Sequence, residues 1–258
     1  MNTKTIGFIG GGRVASILLQ GWTHANSLPG LITVSDPKPA TLDALKAAFP
    51  SIQTTDDNLQ AAGQDIVFLG VHPPVLAEVA ASIKAALKPD AIVISLAPKF
   101  TLTKLESLLG GFSRLVRCIP NAPSVIDLGF NPMSHAPAIS VQDKAVITGL
   151  LSPLGQCPEV DEAKLEDYAL LSAMGPTYFW FQFQALREAA GSFGLNSAEV
   201  DAAMKAMIAG STQTLLDSGL TPSEVMDLVP VKPLPEMERQ VTEYYQTRLP
   251  ALWQKIRP

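Results

Sequence analysis

Cysteine is scarce. Cys118 and Cys157 are the only two in 258 residues, too few for a disulfide framework or a structural zinc site. The three histidines, His24, His72 and His135, stand alone and form no HExxH-type pair, so no metal is expected. Charge is also sparse, at 17% of residues, with 19 basic against 24 acidic side chains and a net charge of −5. Without a basic cluster, nucleic acid and anionic membranes are poor main partners. The opening residues carry one lysine and a short apolar run that stops at three glycines, which is no signal peptide. The longest uncharged stretch, 168–186, is interrupted by Gly175-Pro176 and carries Gln182 and Gln184. It reads as a turn and a buried helix, not a membrane span. What remains is a soluble, cytoplasmic globular chain whose 47% hydrophobic residues suffice for a sizeable core.

Short apolar runs alternate with helical patterns through the first half. Strands are expected at 5–9, 31–35, 65–71, 91–96, 115–119, 137–140 and 157–160. Helices are expected at 14–24, 40–49, 74–86, 102–109 and 142–151. The continuous Ile-Val-Phe-Leu run at 66–69 suits a strand covered on both faces. This is an α/β pattern, a Rossmann-like doubly wound sheet. After Val160 the strand signals stop. Asn196 with Glu199, and Thr221 with Glu224, read as capping boxes opening helices that follow the stops Gly194 and Gly219. Three prolines in 230–235 force an interruption before a last helix at 236–249. The expected division is therefore a dinucleotide-binding domain at 1–160 and an all-α domain at 161–258.

Gly10, Gly11 and Gly12, with Arg13, Val14 and Ala15, spell GxGxxA between the first strand and its helix. Gly10 allows the tight turn, Gly12 lets the backbone approach a pyrophosphate, and Ala15 lets helix pack on strand. The helix N-terminus offers free N–H groups to the phosphates. Asp36 stands where a ribose-binding acid is expected and favours NAD, whereas Ser35, Lys38 and Arg13 suit the extra phosphate of NADP. Asp36-Pro37 also reads as a plain turn, so the cofactor is NADP or NAD.

The chain resembles pyrroline-5-carboxylate reductase along nearly its full length. Ile6-Gly-Phe-Ile-Gly-Gly-Gly12, Val71-His72-Pro73, Ser95-Leu-Ala97, Arg117-Cys-Ile-Pro120-Asn121-Ala-Pro123 and Ser172-Ala-Met-Gly175-Pro176-Thr-Tyr178 carry the likeness. The resemblance implies hydride transfer from a nicotinamide to a small cyclic imine, chemistry that needs no catalytic triad because a protonated imine is already electrophilic. It places Asn58, Val71, His72 and Pro73 on the adenosine and ribose side of the cofactor, and Ala97, Pro120 and Asn121 toward the nicotinamide. Met174, Gly175 and Pro176 are then substrate contacts. Asn121 is a candidate catalytic residue, with a turn brace as the plainer alternative.

Two segments depart from the family pattern. Pro98-Lys99 replaces a small Ala-Gly, and Val229-Pro-Val-Lys-Pro-Leu-Pro-Glu236 replaces Ser-Pro-Gly-Gly-Thr-Thr, the loop that helps hold the substrate carboxylate. Lys232 is the only cation in the altered loop. It is either a catalytic-site replacement for the lost donors or a solvated lysine. Tyr178, Phe179, Trp180, Phe181 and Phe183 cover more than one helix face, which suggests a second buried contact. The resemblance implies a homodimer through the helical domain. The competing expectation is a dinucleotide-binding sensor or partner protein of the same fold that has lost turnover.

Overall fold

The computed structural model describes residues 4–257. Its first half winds β1 (Ile6–Ile9), α1 (Arg13–His24), β2 (Ile32–Ser35), α2 (Pro39–Ala48), β3 (Gln53–Thr55), α3 (Asn58–Ala62), β4 (Ile66–Leu69) and α4 (Pro73–Ile83). It continues with β5 (Ile92–Ser95), α5 (Leu102–Leu108), β6 (Leu115–Cys118), β7 (Gly129–Phe130), β8 (Met133–His135), α6 (Val141–Leu151), β9 (Gly155–Gln156) and α7 (Leu165–Tyr168). Four helices follow: α8 (Pro176–Gly191), α9 (Ser197–Asp217), α10 (Pro222–Asp227) and α11 (Pro235–Ile256).

The main sheet has the order β3-β2-β1-β4-β5-β6-β8 and is parallel except for β8. Strand order therefore reverses beside β1, whose carboxyl end is where open α/β sheets bind their ligands. Side chains alternate across the sheet. Phe8, Phe68 and Ile94 join Leu19 and Trp22 of α1 and Leu151 of α6 in one apolar layer. Ile9, Val67 and Val93 face the other layer, against Leu76 and Ile83 of α4 and Leu105 of α5. Phe8 and Phe68 stack with ring centroids 4.7 Å apart, and Trp22 meets both edge-on at 6.1 Å. Its indole Nε1 donates to Leu150 O at 2.8 Å, so the buried ring leaves no orphan donor.

By its contacts the chain divides into two compact units, 4–174 with 252–257, and 175–251. The break expected at Val160 lies at Met174 instead. Leu165, Ala169 and Leu170 are buried with Ile119 and Ile256 of α11 in a small apolar cluster of their own within the first unit. In the second unit Val200 is the one fully buried side chain. Both capping boxes form there, Asn196 with Glu199 and Thr221 with Glu224. Among the described residues no helix is long and apolar enough to cross a membrane.

Several elements differ from the sequence pattern. β3 and α3 carried no apolar signal, because β3 is a polar Gln-Thr-Thr strand at the sheet edge. The strand expected at 137–140 is displaced to β8. Pro137 has no N–H to donate, and Ser140 instead caps α6. At 157–160 a single bridge joins Met133 and Glu159, with the paired strand shifted to β9. The last helix does not stop at 249 but runs through Pro250 to Ile256. The helix expected to be buried within 168–186 is α8, which has no buried residue.

Candidate active site

The residues expected to touch a dinucleotide gather at the carboxyl ends of the parallel strands. Gly10 to Val14 follow β1, Asp36 and Lys38 follow β2, and Asn58 follows β3. Val71, His72 and Pro73 follow β4, Ala97 follows β5, and Pro120 and Asn121 follow β6.

Gly10 has φ +100°, a conformation that disfavours any side chain, and its N–H donates to Ser35 O at 2.8 Å. A Cβ there would lie 2.7 Å from Gly70 O, so the loop presses against the end of β4. Gly12 has no atom within 4 Å of where its Cβ would stand, and it caps α1 without a side-chain bond. No acidic residue lies in the first turn of α1. The result is an open backbone cradle in front of uncapped helix N–H groups, which fits the pyrophosphate of a dinucleotide.

Beyond β2 the geometry divides the expected residues. Asp36 accepts the Gly11 N–H through Oδ2 at 3.0 Å and the Lys38 N–H through Oδ1 at 2.9 Å. Its carboxylate thus bonds the turn with both oxygens. Ser35 was a candidate phosphate ligand, but it is 0% exposed and its Oγ lies 2.8 Å from Asn58 Oδ1. It is a strut inside the sheet that fixes Asn58, whose Nδ2 stays uncommitted among the described residues. Arg13 and Lys38 are exposed and have no ion-pair partner among the described residues.

At the other strand ends, Val71 packs on the second apolar layer and His72 caps α4 by its backbone alone, with its ring exposed. Pro73 opens α4, and Ala97 is 3% exposed. Pro120 is half-buried. Asn121 is buried and braced. Its Oδ1 accepts the Phe130 N–H at 3.0 Å, and its Nδ2 donates to Ser172 O at 3.1 Å. This is the turn brace and not a group free to move a proton. The brace holds the π-turn Ala169–Ala173, which leads into Met174. Such turns are frequent at functional sites.

Gly175, Pro176 and Lys232 lie in the second unit. Pro176 is the first residue of α8. Lys232 is exposed, has no ion-pair partner among the described residues, and borders a largely apolar groove of ≈ 830 Å³ with Val229, Leu234, Met237 and Tyr245.

A buried ion cluster was not legible in the sequence. Arg117 on β6 is 0% exposed and donates through Nη2 to Glu166 Oε1 at 2.5 Å and through Nη1 to Glu162 Oε1 at 3.1 Å. The only available signal was a lone arginine inside the apolar strand pattern of β6. Such a residue must be paired if it is buried.

A sheet in this order, with a glycine turn at its switch point and an open helix N-terminus, defines a Rossmann-type NAD(P)-dependent oxidoreductase. The family model described as NADP oxidoreductase, coenzyme F420-dependent, matches residues 5–99. Pyrroline-5-carboxylate reductase of Pseudomonas aeruginosa is 30% identical over 228 residues, covering 87% of this chain and 83% of that protein. The Escherichia coli enzyme is 27% identical, with 88% and 84% covered. A solved pyrroline-5-carboxylate reductase from Coxiella burnetii superposes with a TM-score of 0.69 at 28% identity, over 99% of this chain and 95% of that one. The Plasmodium falciparum structure with NADP bound shares the fold, with a TM-score of 0.74 at 21% identity over 99% and 95% of the chains. The chain belongs to the pyrroline-5-carboxylate reductase family.

Proposed function

We propose that the protein reduces the C=N bond of pyrroline-5-carboxylate to give proline, with NADPH or NADH as hydride donor. Kinship along both units to reductases of that substrate carries this reading. When bound, the dihydronicotinamide supplies a hydride to the imine carbon, and the protonated ring nitrogen becomes the amine. The chain's part is to bind and orient. Gly10 to Val14 take the pyrophosphate, and Asn58 and Val71 to Pro73 take the adenosine half. Ala97 and Pro120 border the nicotinamide, and Asn121 fixes the turn before the substrate segment Met174 to Pro176. Lys232 supplies a point charge to the substrate carboxylate in place of the hydroxyls and glycines usual in the family. With both Asp36 oxygens bonded to the turn, Arg13 and Lys38 favour NADPH.

The same reading extends to assembly and place. The uncovered apolar side chains of α8 support a homodimer through the helical unit. Two free cysteines, one buried, suit a reducing cytoplasm. The test is oxidation of NADPH and NADH by the purified protein, followed by absorbance, with pyrroline-5-carboxylate and a panel of other cyclic imines and keto acids. Turnover with pyrroline-5-carboxylate is expected. Tight cofactor binding with no oxidation in any of these mixtures would favour the sensor reading.

A further inference from the structure

We propose that Glu166, backed by Arg117 and Glu162, is a positioning residue that sets the nicotinamide-side loop after β5. The inference rests on the reductase reading above and assigns a task to a cluster that the reaction itself does not use. In a sheet of this order, the strands beyond β4, which are β5 and β6, serve the nicotinamide half. The loop from Ala97 to Leu102 is therefore the piece of backbone whose placement decides where that ring sits.

Lys99 in this loop has φ +73°, a left-handed conformation that only glycine adopts at no steric cost. Something must hold it. The Lys99 N–H donates to Glu166 Oε1 at 3.1 Å, and the Leu102 N–H donates to Glu162 Oε1 at 2.6 Å. The two carboxylates stand four residues apart, and both bond the one guanidinium of Arg117, which lies opposite Ser95 in the β5–β6 register. Arg117 and Glu166 are 0% and 2% exposed at the side chain, so salt screens their pairing little, whereas Glu162 is partly open to solvent. One arm of the cluster is thus rooted in the sheet and the other grips the loop at two backbone N–H groups. A glycine at this position would need no such grip. A lysine does.

Two substitutions at Glu166 separate this task from a merely structural one. Glu166→Gln removes the charge, and Glu166→Asp keeps the charge beside Arg117 but withdraws the oxygen from the Lys99 N–H. Three readings are taken on the full-length protein: calorimetric binding of 2′,5′-ADP, fluorescence of bound NADPH, and kcat with its isotope effect from deuterated NADPH. The ADP fragment should bind as in the parent. The nicotinamide emission should move toward that of the free cofactor, and kcat should fall about tenfold or more with a larger isotope effect. Adding Lys99→Gly to either variant should recover at least about threefold of the loss, because glycine holds φ +73° without a partner. The proposal is overturned if both variants keep the parental emission and kcat. It is also overturned if ADP binding falls by the same factor as kcat, or if Lys99→Gly rescues nothing. The emission and ADP readings need no imine, so they decide the point even if pyrroline-5-carboxylate proves not to be the substrate.

Discussion

Trp22, Phe8 and Phe68 in the first unit are 0% exposed, whereas Phe179, Trp180 and Phe181 in the second are 43%, 51% and 66% exposed. Both sets belong to regular elements with clear apolar signals. In the first unit each sheet face meets helices from the same chain, so the core closes on itself. Between 175 and 251, α9 and α10 open on complete capping boxes, yet Leu216, Leu228, Val229 and Val231 remain 72%, 59%, 64% and 73% exposed. Local helix signals and a buried core are separate achievements. The second requires a partner surface, and the proposed function assigns that surface to a second copy.

The sharpest way to break this comparison is Phe181→Glu. In the proposed dimer, charging this aromatic removes a contact of the kind that carries more than about 2 kcal/mol and buries an unpaired charge. Light scattering should show a monomer, and turnover should fall by about a hundredfold, while the dinucleotide still binds to the self-contained first unit. A dimer of parental activity would mean that α8 faces solvent. Gly12→Ala comes next. Its φ of −71° and the open space around it leave stability unchanged, yet the new methyl stands where the pyrophosphate must approach. Calorimetry should record a ten- to hundredfold loss of dinucleotide affinity, of order 1–3 kcal/mol, at constant Tm. If affinity is unaffected, the cradle is not the binding loop.

A smaller effect separates the cofactors. Arg13→Ala and Lys38→Ala should each weaken NADPH by about tenfold, the scale of one charge-assisted bond to phosphate, with little change for NADH. Equal losses for both cofactors would place these cations elsewhere than the 2′-phosphate. The least consequence for function is expected at the amino ends of the parallel strands. There Asp65 bonds Lys88 Nζ at 2.8 Å and the Thr5 N–H at 2.9 Å, and these bonds hold its carboxyl at about 2, below the ordinary range. A lowered folded-state value stabilises the protein above the unfolded carboxyl's pKa. That contribution, about 1–2 kcal/mol, disappears as pH falls from about 4 to about 2. Asp65→Asn should cost the same amount at neutral pH in a denaturant titration and leave dinucleotide affinity within about twofold.

How far the site could be read in advance follows the sequence distance over which each residue acts. The turn from Gly10 to Val14 was legible as a turn because strand, turn and helix are contiguous along the chain. The strand-end positions Asn58, Val71 to Pro73, Ala97 and Pro120 were placed by resemblance, and the sheet order explains why they share one edge. Ser35 misled because a hydroxyl at a strand end looks available until the partner strand closes over it. Asn121 misled for a similar reason, since the carbonyl it holds belongs to Ser172, 51 residues later. Arg117 acts on carboxylates 45 and 49 residues away, a separation no motif encodes.

By itself, the sequence determined the alternation of strand and helix, the glycine turn, the two capping boxes and the family likeness, because each is written in neighbouring residues. Only the tertiary structure decided that residues 161–174 belong to the first unit, that Asp36 bonds its own turn, and that a buried arginine with two glutamates grips the loop after β5. Those outcomes depend on which distant groups meet once the apolar layers close. Burial then drives most polar groups trapped there to find partners, whatever the distance along the chain.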